Sequence, residues 1–226
     1  MKFITFSGPP STGKTSVIIK AFKPMIQDGL KIGVVKFDCL STEDDLIYSK
    51  NGFTVKKGIS GAMCPDHFFV SNIEEILEWG QSIEADILIS ESAGLCNRCS
   101  PYIKDIKAVC VIDNLCGLGT PKKIGPMLKT ADIVVITKGD IVSQAEREVF
   151  SASVTRVNPK AITLHVNGLS GQGAFEFASL VMDKPVETDS LAGKELRFPM
   201  PSAMCSYCLG ETRIGKEYQH GNVRKI

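Results

Sequence analysis

The sequence has no long hydrophobic run, no excess of charge of one sign, no internal repeat and no low-complexity tract, and each absence removes a class of protein. Its longest apolar stretches fall well short of the ~20 residues that a helical span requires, so no membrane segment is predicted. The amino terminus, MKFITFSGPP, turns to glycine and proline before its apolar stretch is long enough for a signal peptide. The expected location is the cytoplasm. With 26 Lys and Arg against 25 Asp and Glu, bulk electrostatics gives no reason to expect nucleic acid as a partner.

What is present is a globular balance, 43% hydrophobic and 23% charged, rather than a disordered or membrane one. The 226 residues suffice for one α/β domain and a small appendage. In a reducing compartment the eight cysteines predict buried fillers, metal ligands or redox groups in preference to disulfides. Cys39, Cys110 and Cys116 lie in or near apolar runs and read as small buried side chains. Cys64, Cys96, Cys99, Cys205 and Cys208 lie in polar, loop-like contexts.

Six runs, KFITF, KIGVVKF, DILIS, KAVCVID, DIVVIT and AITLHV, are continuous in apolar residues rather than alternating, as buried parallel strands are. Helix-compatible segments separate them: TSVIIKAFKPMIQ, DDLIYSK, FVSNIEEILEWG, KKIGPMLK, SQAEREVFSASV and GAFEFASLVMD. This βαβ order predicts an α/β fold, a mainly parallel twisted sheet with helices on both faces. Ligands in such folds bind beyond the carboxyl ends of the strands. Regularity fades after Asp183, where PVETDSLAGKELRFPMPS carries three prolines. The expected division is a nucleotide-binding domain over 1–185 and a small irregular appendage over 186–226.

GPPSTGKT, residues 8–15, matches GxxxxGK[ST] between a strand and a helix. Gly8, Ser11, Thr12, Gly13, Lys14, Thr15 and Ser16 are the expected phosphate cradle: backbone N–H groups close around the oxygens, and Lys14 reaches the β and γ phosphates. The Thr15 hydroxyl is expected on Mg²⁺. A magnesium site also needs an acid at another strand end. DILISES supplies Glu91, followed by Gly94 near the γ-phosphate; Asp38, ending KIGVVKFD, is a second candidate, with a cap or turn role as the weaker alternative. Lys14, Thr15, Asp38 and Glu91 form the expected catalytic set.

DIVVITKGD places Thr137, Lys138 and Asp140 directly after a buried strand, like the guanine-reading [NT]KxD signature of GTPases. The Asp140 carboxylate can accept from guanine N1 and N2, a donor pair adenine lacks, and Lys138 can lay its stem over the base. GTP is thus favoured over ATP. Asn167, Gly168 and Leu169 follow AITLHV, where GTPases place the N–H that meets guanine O6.

The succession GPPSTGKT, DCLSTEDD, SGAMCPDH, ESAG, TKGD and VNGLSGQG resembles the HypB and UreG metallochaperone GTPases over about residues 1–183. The resemblance implies a homodimer whose metal is held by the same loop of two subunits. It also implies that GTP controls delivery of nickel to a client metalloenzyme or its maturation complex. GAMCPDH is similar to the family's Cys-Pro-His metal segment with Asp66 inserted, implying Cys64 and His67 as ligands. His67 could equally be a helix-start residue packed under aromatics. Pro9 and Pro10 stand where ATP-dependent relatives of the MinD and CooC type carry an extra lysine. Departures are Thr137, where most GTPases have Asn, a CxxC pair after ESAG, and a tail, CSYCLGETRIGKEYQHGNVRKI, without counterpart in either family.

Cys96 and Cys99 can bite one metal from a turn, and their thiolates suit Zn²⁺, Ni²⁺ or an iron–sulfur cluster. Cys205 and Cys208 repeat the spacing. The two pairs could close one tetrahedral zinc or one [4Fe–4S] cluster, or the front pairs of two protomers could combine; CxxC also fits redox dithiols. The front pair reads as functional and the tail pair as a structural zinc or cluster half-site. Three functions stay open: a GTP-hydrolysing metallochaperone, a nucleotide-driven iron–sulfur activator, and a nucleotide-regulated scaffold with structural zinc only. Asp140→Asn should exchange guanine for xanthine preference in competition binding; an unchanged preference for guanine would refute the base assignment.

Overall fold

A computed structural model of the chain describes residues 1–94, 100–183, 187–188, 190–199, 211–219 and 223–226. Among them seven strands form one sheet: β1 (Lys2–Ser7), β2 (Ile32–Asp38), β3 (Thr54–Ile59), β4 (Ile87–Ser92), β5 (Lys107–Asp113), β6 (Ile133–Thr137) and β7 (Ile162–His165). The order is β3-β2-β4-β1-β5-β6-β7. Every neighbouring pair is parallel. The helices are α1 (Lys14–Gln27), α2 (Asp44–Lys50), α3 (Pro65–Val70), α4 (Ile73–Ser82), α5 (Thr120–Ile124), α6 (Pro126–Lys129), α7 (Gln144–Val157) and α8 (Ala174–Met182). This is the expected α/β architecture of a P-loop nucleotide hydrolase. The chain leaves β1 for β2 on one side and later crosses from β4 over β1 to β5 on the other, so a crevice opens at the carboxyl end of β1.

Side chains alternate across a strand, so β1 sends Phe3 to one face and Ile4 and Phe6 to the other. On the second face α1 and α8 pack Val17, Ile18, Phe22, Phe177 and Val181 against the sheet. Phe6, Phe22 and Phe177 meet edge to face with ring centroids 6.0 to 6.5 Å apart, the arrangement the ring quadrupoles favour. On the first face Phe68 and Phe69 of α3 pack on Phe37 at 5.8 and 5.6 Å. The helices α5 to α7 cover β5 and β6 on that face. Cys110 is filler there, wholly buried, and burial pushes its thiol up to about 12. Cys39 and Cys116 are half-buried.

Six of these strands are the six apolar runs. The seventh, β3, has Lys56 and Lys57 breaking its apolar pattern, which suits an edge strand with a single neighbour. Among the described residues no helix is long and apolar enough to cross a membrane.

Described residues of the 186–226 segment pack on the first face, where Leu191, Leu196 and Ile214 join Phe3, Phe69 and Ile73 in one cluster. Asn72 clasps the last residues, its Nδ2 donating to Arg224 O at 3.0 Å and its Oδ1 accepting from Ile226 N at 2.8 Å. Arg197 forks onto both Asp132 carboxylate oxygens at 2.8 Å and also donates to the carbonyls of Ile103, Ile106 and Thr130. A half-buried fork with this many acceptors is worth more than a surface pair. Arg197→Ala should therefore cost roughly 2 kcal/mol of stability, read as a lower urea midpoint at constant slope. A loss under about 0.5 kcal/mol would mean that the fork contributes no more than an exposed ion pair.

Candidate functional site

The loop after β1 closes over the strand ends. A Cβ at Gly8 would collide with the Val111 carbonyl oxygen, so only glycine lets the loop lie this close to β5. Gly13, at φ 86°, turns the chain into α1. Lys14 is buried, with Nζ donating to Gly8 O at 3.1 Å and Pro9 O at 2.8 Å. Burial pulls its pKa from 10.5 down to about 8.

The segment 137–140, expected to read the base, is bonded to this loop. Thr137 Oγ1 donates to Thr12 O at 2.6 Å, so the residue that departs from the usual Asn tethers β6 to the phosphate loop. Lys138 Nζ donates to Ser11 O and pairs with Asp113 Oδ2, both at 2.8 Å. Asp140 is exposed and shares with Arg147, Asn167 and Glu176 an open cavity of about 550 Å³. Asn167 Oδ1 accepts from Leu169 N at 2.8 Å and Ser170 N at 3.0 Å. Gly168 lies so close to α1 that a Cβ there would come within 2.9 Å of Ser16 Cβ. Thr137, Lys138 and Gly168 thus lean on residues 8–16.

Glu91 is the hub. The β2–β4 register sets it beside Lys36, and neither side chain has more than a trace of exposure. Lys36 Nζ lies 2.7 Å from Glu91 Oε1 and 2.7 Å from Asp44 Oδ2. Thr15 Oγ1 lies 3.0 Å from Glu91 Oε1 and 3.2 Å from Asp44 Oδ2. Tyr48 OH donates to Glu91 Oε2 at 2.5 Å. Burial works to lower the Lys36 pKa, but the two carboxylates outweigh it and hold the ammonium above the ordinary lysine value. Burial, reinforced by Glu91, raises the Tyr48 phenol well above 10 and keeps it a donor.

Thr15 Oγ1, Asp44 Oδ2 and Glu91 Oε1 form a hard-oxygen set of the kind Mg²⁺ takes, and the ammonium seated among them shows that the set draws a cation. The residues fit magnesium. Asp38 Oδ1 accepts from Cys39 N at 2.8 Å after β2. Sequence reasoning did not single out Asp44, Lys36 or Tyr48. A lysine inside KIGVVKFD was the available signal, since a buried charge requires a partner.

The turn after β4 runs between the phosphate loop and α3. Gly94 N donates to Gly8 O at 3.1 Å. A side chain at Gly94 would collide with Met127 Cε, and its Cβ would lie 2.8 Å from Asp66 Oδ2. Asp66, between Pro65 and His67, is fully buried, and its Oδ1 accepts from Ser7 Oγ at 3.0 Å and Ser92 Oγ at 2.6 Å. Cys64 precedes α3 and His67 lies in it, both half-buried. Among the described residues no three His, Cys, Asp or Glu side chains are gathered to hold a metal. Cys96, Cys99, Cys205 and Cys208 lie outside the described residues.

Comparison with known proteins agrees with this geometry. Residues 2–165 match the nucleotide-binding domain of the CobW/HypB/UreG family. The chain is 48% identical, over all of its length and 96% of the other, to the uncharacterized protein MJ0120 of Methanocaldococcus jannaschii. It is 28% identical to urease accessory protein UreG 2 of Methylorubrum populi, covering 81% of this chain and 93% of that one. HypB of Helicobacter pylori, solved in complex with nickel, shares the fold at TM-score 0.65 and 18% identity, covering 81% of this chain and 86% of that one. A matching domain over this span, with its phosphate loop, its strand-end acid and its parallel sheet in place, makes the chain a member of the CobW/HypB/UreG family.

Proposed function

We propose that the protein is a magnesium-dependent GTPase whose nucleotide state governs a transition-metal site, acting as a homodimer in the cytoplasm. Its task on this reading is to deliver the metal, nickel in the first instance, to a client metalloenzyme or its maturation complex. Membership of the family, the accessory role named for UreG and the nickel held by HypB of Helicobacter pylori support it. The observation that carries it is the position of the turn 91–94. Through Glu91 and Gly94 this turn touches Thr15 and Gly8, and on its other side it meets Asp66, two residues from Cys64 and one from His67.

In this reading the N–H groups of residues 8–16 take the phosphates of GTP, and Lys14 leaves the Gly8 and Pro9 carbonyls for the β and γ oxygens. Asp140 and the N–H groups of 167–168 read the guanine. Thr15, Glu91 and Asp44, with Asp38 as a further candidate, would hold Mg²⁺, which would supply positive charge to offset that on the phosphates. Glu91 and Gly94 shift with the γ-phosphate and relax when it is lost, a recognised switching device. Cys96 and Cys99 follow Gly94 in sequence, so they would move with the turn, while Asp66 would pass the same motion to Cys64 and His67. These four are the proposed cargo ligands; Cys205 and Cys208 are proposed as a structural zinc or cluster half-site.

Metal-free protein alone should hydrolyse GTP slowly, on the order of 10⁻³ per second, and Lys14→Ala should abolish binding. Rapid unassisted turnover would contradict a switch. Anaerobic purification with metal analysis and a visible spectrum should give a metal content that falls in Cys64→Ser and Cys96→Ser. A brown protein bleached by Cys96→Ser would show an iron–sulfur activator instead.

A pH dependence also follows from Lys14. Its ammonium is intact below about pH 8 in the nucleotide-free protein and is lost above it. Between about 8 and 10.5 the unfolded chain holds the proton more tightly, so this group's contribution to stability rises with pH. Phosphate binding has the opposite sign, because it needs the proton. Affinity for a fluorescent GTP analogue should fall roughly tenfold from pH 7 to pH 9; a flat profile would show that Lys14 keeps its proton through this range.

A further inference from the structure

The Lys36 ammonium is enclosed by the same oxygens that suit magnesium, with Glu91 Oε1 and Asp44 Oδ2 each at 2.7 Å and the Thr15 hydroxyl beside both. A lysine in the interior of a strand loses its hydration, and only a compensating pair of carboxylates makes that placement tolerable. The register between β2 and β4 fixes Lys36 opposite Glu91, so its position there is set by the fold. Tyr48 completes the arrangement by occupying Glu91 Oε2, which leaves Oε1 directed at the cation.

We propose that Lys36 is a built-in counter-cation for the magnesium seat, holding it closed in the nucleotide-free protein and yielding it only when phosphates accompany the ion. The inference rests on the reading of this site as nucleotide- and magnesium-binding. Two cations cannot share the same carboxylate oxygens at contact distance without strong repulsion. A divalent ion arriving alone must displace the ammonium and leave it buried without its partners. An ion arriving with GTP brings anionic oxygens that can receive the displaced ammonium, so the exchange conserves charge pairing. Lys36 therefore sets the order of binding and keeps stray divalent cations, cargo metal included, out of a hard-oxygen site. Its release also passes Asp44, in the first turn of α2, from the ammonium to the magnesium.

The test is isothermal titration of Mg²⁺ into nucleotide-free wild type and Lys36→Met, with thermal melts over the same Mg²⁺ range. The variant should bind Mg²⁺ alone at least about tenfold more tightly than wild type, and Mg²⁺ should raise its melting temperature while leaving that of wild type unchanged. Equal or weaker Mg²⁺ binding by the variant would overturn the inference, while GTP binding by both proteins would leave the nucleotide reading intact. No Mg²⁺ response in either protein, with or without GDP, would overturn both. A measurement on wild type covers a variant that does not fold. In protein labelled with ¹⁵N at lysine Nζ, the Lys36 ammonium signal, assigned with Lys36→Arg, should shift on saturation with Mg²⁺ and GDP and stay put with millimolar Mg²⁺ alone. A signal unmoved by Mg²⁺ and GDP would refute the displacement.

Discussion

A carboxylate with no exposure, Glu91, sits near the end of β4, a strand buried at every residue, and a charge in that position must be matched or it unfolds the structure around it. The match comes from three directions. Lys36 approaches from the neighbouring strand, Thr15 from the start of α1 and Tyr48 from α2. Each of these groups is therefore placed by the same electrostatic requirement, and together they tie the phosphate loop, β2 and α2 to β4. Removing any one partner would leave part of the charge uncompensated, so the cluster behaves as a unit.

The same strand end ties chemistry to mechanics. Three residues after Glu91 the chain passes Gly94, which has room for no side chain between Met127 and Asp66 and which donates its N–H to the phosphate loop. On the proposed reading, a displacement of the turn reaches Ser7 and Ser92 through Asp66, and from Asp66 the segment carrying Cys64 and His67. Asp66 of CPDH thus has a structural place: it puts a buried carboxylate under the phosphate loop.

Much of this was legible in the sequence, for reasons that are local. The phosphate loop is read from residues 8–15 because glycine and lysine are required at fixed offsets, and six strands are read because burial on both faces makes them continuous in apolar residues. β3 escaped notice because an edge strand tolerates Lys56 and Lys57. Asp44, Lys36, Tyr48 and Asp66 were hidden because their meaning lies in register and helix placement, which no local pattern encodes; a rule that looks for acids at strand ends picks Asp38 and passes over Asp44 at the head of α2. In the tail, Leu191, Leu196 and Ile214 follow no helical or strand period, so their place in the core could not be inferred from spacing.

The central claim is that the state of the nucleotide is felt at the metal ligands through the turn 91–94. Its most direct test is the nickel dissociation constant of the full chain, measured by competition with a chelator in the presence of Mg²⁺ and either a non-hydrolysable GTP analogue or GDP. The account predicts at least about tenfold tighter binding with the triphosphate analogue, within the usual range of coupling between sites. Equal affinity in the two states would contradict it.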